Sequence, residues 1–276
     1  TTTVVPGQTQ AATTFTVTNT SNATLDIGLS AANLAGVAAP HGGTDVFNPG
    51  AYTLYLDDGD NVFDAGDTLI THLDEVAEDG VRVVHVVTSI SAAHTNGQIA
   101  AVSLTGTAKA AGTAGTEGAA LTATGGADTA AMDTVLADAA GSDDAVTDGK
   151  HSARDDYTVS APVLTVSKLS RVISDPINGV SANAKAIPGA VVEYCIVVAN
   201  AGAGAAADSV IITDSLPTQT SYLAAFGVKT GGTVVTGSTC TPGAGSGSFA
   251  SPVVTGNLGT VGAGTQQTVV FRVTIL

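Results

Sequence analysis

Five carboxylates crowd into eleven residues: Asp57, Asp58, Asp60, Asp64 and Asp67, with Gly59 and Gly66 between them. Hard oxygen ligands converging from one loop suit Ca²⁺, which takes about 6–8 oxygens and tolerates irregular geometry. Set against the twelve-residue calcium loop, Asp58, Asp60, Asp64 and Asp67 fall at the third, fifth, ninth and twelfth places. Asp57 stands in for the first ligand but is out of register by one, and the bidentate Glu is missing. Carboxylates this close repel one another unless a cation lies among them. The loop is therefore expected to bind Ca²⁺; the plainer alternative is a solvated acidic hairpin.

A second acidic patch, Asp138, Asp143, Asp144, Asp148, Asp155 and Asp156, matches no metal-ligand spacing and reads better as a solvated loop than as an ion site. The five histidines, His41, His72, His85, His94 and His151, show no HExxH or paired spacing and read as surface or strand residues. Cys195 lies in an apolar strand and Cys240 in a Gly/Thr/Ser loop, without CxxC spacing or a nearby His, which argues against zinc or redox chemistry. A structural disulfide between them fits an exported chain; two separate thiols are the alternative. There is no GxSxG elbow, since Gly245-Ser246-Gly247-Ser248 lies in a Gly/Ser loop, and no phosphate-binding loop. The expectation is a protein that is not an enzyme.

Charge is distributed unevenly. Residues 1–160 carry 20 of the 24 acidic and 4 of the 9 basic groups, net −16, whereas residues 161–276 carry 4 and 5, net +1. So acidic a surface repels phosphate backbones and argues against nucleic-acid binding. Charged residues are 12% of the chain, about half the usual share of roughly 25%, and Trp is absent. This favours thin layers packed with Val, Ile and Leu over an aromatic-lined cavity. No signal peptide and no run of about 18 apolar residues is present, so no membrane span is expected. The abrupt start at Thr1-Thr2-Thr3 suggests a mature or trimmed N-terminus.

The elements that carry these residues follow one repeated device. Pro6-Gly7 leads into Phe15-Thr16-Val17-Thr18-Asn19, and Pro188-Gly189 into Ile196-Val197-Val198-Ala199-Asn200. In each copy a turn feeds a β-branched strand that stops at Asn before a loop of small residues. Further strands are expected over residues 22–30, 52–56, 68–70, 81–87, 99–105 and 157–160. In the second half they are expected over 163–168, 191–198, 209–214, 220–223, 232–235, 253–254 and 268–276. Residues 133–140 could form a helical turn or two. Ala161-Pro162, where the charge balance changes, marks a linker. The expected fold is all-β: two tandem immunoglobulin-like antiparallel β-sandwich domains, an acidic one over 1–160 and a second over 161–276.

Residues 163–276 resemble the repeat catalogued as domain-of-unknown-function family eleven, found on bacterial and archaeal surface proteins. The resemblance rests on Val166-Ser167-Lys168, Ile187-Pro188-Gly189, Glu193-Tyr194, Asn200-Ala201-Gly202, Val210-Ile211-Ile212-Thr213-Asp214-Ser215-Leu216-Pro217, Asn257-Leu258-Gly259 and Phe271-Arg272-Val273. The first half is similar to the domain preceding this repeat in many secreted bacterial proteins, through Pro6-Gly7, Phe15 to Asn19, Tyr55 to Asp67 and Asp148 to Asp155. Longer relatives carry another N-terminal β segment, which implies an uncovered sheet edge here.

Together these readings give an extracellular or cell-surface structural subunit. It would self-assemble into a homopolymeric filament or surface layer by β-strand addition, with residues 1–5 or 268–276 as donor. The alternative is a calcium-stabilised surface adhesin or ligand-binding module.

Overall fold

The computed structural model describes residues 1–126, 133–201, 204–237 and 239–276. Gly202, Ala203 and Ser238, which belong to loops read above, lie outside the described residues, as does part of the 106–156 stretch. Two compact units form, Thr1–Ser160 and Ala161–Leu276, and the described residues are all strand, turn and loop. No helix among them is long and apolar enough to cross a membrane. Residues 133–140 are irregular, not helical. The short Ala-rich run lies between Gly125-Gly126 and Gly141, and Gly costs helix stability.

Unit 1 is built from β1 (Thr2–Val4), β2 (Ala11–Thr18), β3 (Leu25–Asn33), β4 (Thr53–Leu56), β5 (Thr68–Ile70), β6 (His72–Val76), β7 (Val81–Thr88), β8 (Ile99–Ala110) and β9 (Lys150–Val159). One sheet runs β1-β9-β8-β3-β6 and the other β2-β7-β4-β5; β1 joins β9 in parallel and the other pairs are antiparallel. Phe15, Leu54, Val84 and Val86 from one sheet share a core with Ile27, Leu73, Val102, Leu104 and Tyr157 from the other. The fully buried Tyr157 donates its hydroxyl proton to the carbonyl of Val86 at 2.7 Å, so the two sheets are tied by a bond as well as by packing.

Unit 2 comprises β10 (Leu164–Ser174), β11 (Val191–Asn200), β12 (Ala207–Ser215), β13 (Thr220–Tyr222), β14 (Lys229–Gly232), β15 (Val235–Thr236), β16 (Thr239–Cys240), β17 (Gly245–Ser246), β18 (Ser248–Ala250), β19 (Val253–Val261) and β20 (Gln266–Ile275). Its sheets run β10-β11-β20-β14-β17, with β13 also on β20, and β12-β19-β18; β15 and β16 form a small ribbon. Val198, Val254, Val269, Phe271 and Val273 centre the core. Cys195 on β11 is bonded to Cys240 on β16, among Val197, Val270, Leu169 and Phe226.

The repeated device takes the same geometry in both units. Gly7 and Gly189 sit at φ +82° and +85°, which the second central residue of a type II turn requires, and each Pro supplies the position before it. The turns close through Gln8 N–H to Val5 O (3.1 Å) and Ala190 N–H to Ile187 O (2.9 Å). The closing asparagines are buried. Asn19 Nδ2 donates to the carbonyls of Ala23 and Val76, both at 2.8 Å; Asn200 Nδ2 donates to those of Ala205 at 2.9 Å and Val261 at 3.1 Å. Each amide thus stitches its loop to the strand beside it.

Candidate functional site

The acidic loop is carried by β4 and β5, and its inner wall is the central strand β7. The cross-strand pair Tyr55 and His85 sets the floor, and Phe63 folds back from the loop onto both rings, with centroids 5.1 and 5.9 Å away. An apolar residue in the middle of an acidic run thereby pins the loop to the sheet.

His85 is the residue that sequence reading missed. It lies in the apolar run Val83-Val84-His85-Val86-Val87 and is 1% exposed. A buried imidazole needs partners for both nitrogens. Nδ1 meets Thr14 Oγ1 at 2.9 Å, and Nε2 meets Asp57 Oδ1 at 3.1 Å with Asp67 Oδ2 at 3.8 Å. With the proton on Nε2, the ring donates to Asp57 and accepts from Thr14. A histidine inside an otherwise apolar strand was the available signal, because burial there demands a polar neighbour.

Four of the five aspartates fall into two overlapping groups. Asp57, Asp67 and His85 form a buried group, and Asp57, Asp58 and Asp60 form an exposed one; in each, one ligand atom per residue lies within 4.8 Å of the others. Asp57 belongs to both. Asp64 stands beside Asp58 across Gly66, where a Cβ would meet the carboxylate oxygens of both, so a side chain at 66 would push these carboxylates aside. The loop's own N–H groups already serve several of these oxygens. Gly59 donates to Asp57 at 2.9 Å, Val62 to Asp60 at 2.7 Å, Gly66 to Asp64 at 2.6 Å, and Asp58 and Asp64 to Asp67 at 3.2 and 3.0 Å.

The electrostatics differ within the loop. Burial works to raise the Asp57 carboxyl, but hydrogen bonds from His85 and from the N–H groups of Gly59 and Asn61 outweigh it and hold the group below its ordinary value. The Asp58 carboxyl is pushed up, first by burial and then by the charges of Asp60, Asp64 and Asp67. The loop thus has one well-compensated carboxylate at its base and one poorly compensated at its rim.

In the second acidic patch, Asp138 accepts from the N–H groups of Asp148 and Gly149, and Asp144 from that of Gly141. Asp143 pairs with Arg154 and accepts the Ser103 hydroxyl at 2.6 Å. These side chains organise the loop's backbone instead of standing free. Asp156, 1% exposed on β9, departs most from the solvated reading.

No family model matches the chain, including that of the repeat family resembled by residues 163–276. No curated protein matches it either. Among solved structures it aligns with a chain described as BspA_C_WT at 9% identity and a TM-score of 0.43, covering 100% of this chain and 86% of that one. It also aligns with the C-terminal domain of the BspA antigen I/II polypeptide of Streptococcus agalactiae at 9% identity, TM-score 0.41 and the same coverages. Likenesses this distant carry no argument about what the chain does.

Proposed function

We propose that this chain is a non-catalytic structural module of an extracellular or cell-surface protein. In this reading two immunoglobulin-like sandwiches in tandem join copies of the chain by strand addition into a filament or layer. The observation that carries it is an open sheet edge at β2. The strands β2 and β11 share the same entry turn and the same closing Asn, and each pairs with an antiparallel neighbour, β7 or β20. On its other side β11 is covered by β10, whereas β2 ends its sheet. Among the described residues β2 therefore has no ladder partner on its outer side, and Ala11, Thr13 and Phe15 already face inward to the core.

Such an edge accepts an extended segment through main-chain hydrogen bonds. Four new ladder bonds at about 1 kcal/mol each give only about 4 kcal/mol, on the order of millimolar affinity. A donor must therefore also bury apolar side chains. The terminal strand β20 is not available, because it is paired with β11 on one side and with β13 and β14 on the other. That leaves residues 1–5 as donor, with Val4 as the apolar anchor; in this structure Thr2–Val4 occupies the edge beside β9 and Val4 is buried in its own core, so donation exchanges that contact for one in a neighbouring copy.

Electron microscopy of the concentrated protein, intact and with residues 1–5 deleted, tests the proposal. Filaments that vanish on deletion, or when Thr16→Lys and Thr18→Lys charge the exposed side of β2, support it. Intact chains that remain single particles at every concentration overturn it.

The second reading is a calcium-stabilised surface adhesin or ligand-binding module, favoured by the convergence of Asp57, Asp58 and Asp60. In it, Ca²⁺ binds at the rim while His85 holds Asp57 from behind. Ca²⁺-dependent glycan or protein binding without self-assembly would select it.

A further inference from the structure

Away from the acidic loop, His41, Asp155 and Asp156 bring one nitrogen and two carboxylate oxygens within 4.8 Å of one another. His41 sits at the tip of a tight turn closed by the Ala38–Thr44 bridge and by Ala39 N–H to Gly43 O at 3.1 Å. Gly42 and Gly43 follow at φ +105° and +84°, a conformation that turns the loop back so that His41 meets β9. From there its Nδ1 lies 3.1 Å from Asp156 Oδ2 and 3.2 Å from Asp155 Oδ1.

The carboxylates are held in place by Thr13 and by backbone N–H groups of the cluster itself. Thr13 Oγ1 on β2 donates to Asp155 Oδ2, the His41 N–H donates to Asp156 Oδ2 at 3.1 Å, and the Asp156 N–H donates to Asp155 Oδ1 at 2.8 Å. The Thr1 nitrogen also faces Asp155 Oδ1, at 3.4 Å. Asp156 Oδ1 is different: it is buried without a hydrogen-bond partner. The nearby Thr1 hydroxyl is engaged with Thr158 Oγ1 at 2.9 Å and the Asp156 carbonyl at 3.5 Å. A buried carboxylate oxygen left without a partner is costly and calls for a cation.

We propose that His41, Asp155 and Asp156 form a binding site for a divalent transition metal of the zinc class. The donor set decides the class: one imidazole nitrogen with two carboxylates suits Zn²⁺, whereas Ca²⁺ takes oxygen ligands alone. The spacing agrees, because ligands about 2.0–2.1 Å from a tetrahedral zinc stand about 3.3 Å apart. Asp156 supplies the buried ligand through Oδ2, which faces the imidazole, and the unpartnered Oδ1 belongs to the same carboxylate; Asp155 supplies the second carboxylate, kept in orientation by Thr13. The half-exposed His41 gives the ion a route in from solvent and leaves room for a water in the fourth place. The ion would staple the 38–44 turn to β9, a structural role independent of the acidic loop.

Isothermal titration of the chelator-treated chain with Zn²⁺, followed by thermal melts with and without the ion, tests the site. The expected result is uptake of a zinc ion together with a raised melting temperature, both lost in His41→Ala. Asp156→Asn should also lose uptake, but it alters a buried group, so the exposed His41 variant decides the matter. His41→Ala also loses the ring's contacts to Asp155 and Asp156, so the shift in melting temperature on adding Zn²⁺ is read against each protein's own metal-free value. Zinc binding that persists unchanged in His41→Ala, or no uptake by the parent chain, overturns the proposal.

Discussion

The two units begin from one local device and diverge in how the rest of each is held. Asn19 and Asn200 are buried to the same degree and bond to equivalent places, the loop that follows and a neighbouring strand end. Around Asn200 the fold adds β10 and a disulfide. Around Asn19 it adds neither, leaves β2 at an edge, and relies on carboxylates that accept backbone N–H bonds. Asp26, fully buried, takes those of Glu75, Gly112 and Gly118, and Asp45 takes those of Gly36 and Ala101. Unit 2 has one such carboxylate, Asp175, which takes the N–H groups of Ile177, Asn178 and Lys185, and adds the buried Glu193 between Arg171 and Arg272. Two sandwiches with the same seed are thus secured differently: one by covalent and paired-charge contacts, the other by anionic side chains that hold loops.

The sharpest way to separate the units is to cut the disulfide. It closes a separation of 45 residues, for which chain entropy gives about 4 kcal/mol. Reduction, or Cys195→Ala with Cys240→Ala, should lower only the transition belonging to unit 2 in differential scanning calorimetry. A fall in both transitions would mean that the units do not melt independently.

Replacing the two asparagines by Ala probes the shared device. Each substitution strands buried carbonyls, at about 1–3 kcal/mol per group. Asn19→Ala and Asn200→Ala should cost their units comparably, because each amide oxygen also accepts: Asn19 from the N–H and hydroxyl of Ser21, Asn200 from the Val163 N–H at 2.9 Å. Chemical denaturation of each unit measures both. A neutral Asn19→Ala would break the equivalence.

Acid should favour unit 2 over unit 1. The Glu75 N–H, aided by those of Gly118 and Gly112, holds the Asp26 carboxyl below its ordinary value, and Asp138, Asp143 and Asp144 are also lowered. A lowered carboxyl contributes its full stability above the unfolded value of about 4 and loses it as pH falls through the folded value. In unit 2 the Asp175 carboxyl is lowered, by hydrogen bonds from Asn178, Lys185 and Ile177. Calorimetry between neutral and strongly acid pH should show the unit 1 transition falling first.

The smallest effect is expected at the rim of the acidic loop. Because the Asp58 carboxyl is raised, its charge opposes folding, so Asp58→Asn should slightly stabilise unit 1 without metal. The same change should abolish any rise in melting temperature on adding Ca²⁺, a rise confined to unit 1 in the parent chain. Stabilisation by Ca²⁺ that survives Asp58→Asn would move the ion elsewhere.

Much of the local structure was legible in the sequence. Pro-Gly pairs and Asn stops announced two turns whose backbone angles follow from residue type. The runs at 81–87, 191–198 and 268–276 announced strands, and the structure makes each an inner one, which apolar residues on both faces suit. Other features were hidden. The β1 strand is three residues long and parallel, too short to leave a pattern, and His72–Val76 mixes charge into a strand. The helix suggested at residues 133–140 rested on a pattern too short to stand without packing. At the candidate site, spacing marked the aspartates but could not tell which would sit together, and it did not foresee His85 beneath them.

By itself, then, the sequence settled what short-range stereochemistry settles: the turns, the β-rich runs, the segregation of charge and the acidic loop. Which strand lies beside which depends on long-range pairing that no local pattern encodes. Only the tertiary structure left β2 exposed while covering β11, seated His85 under Asp57, and brought His41 to two carboxylates more than a hundred residues away. Contacts of that kind form where chain segments meet, and the meeting is fixed by burial of the whole core.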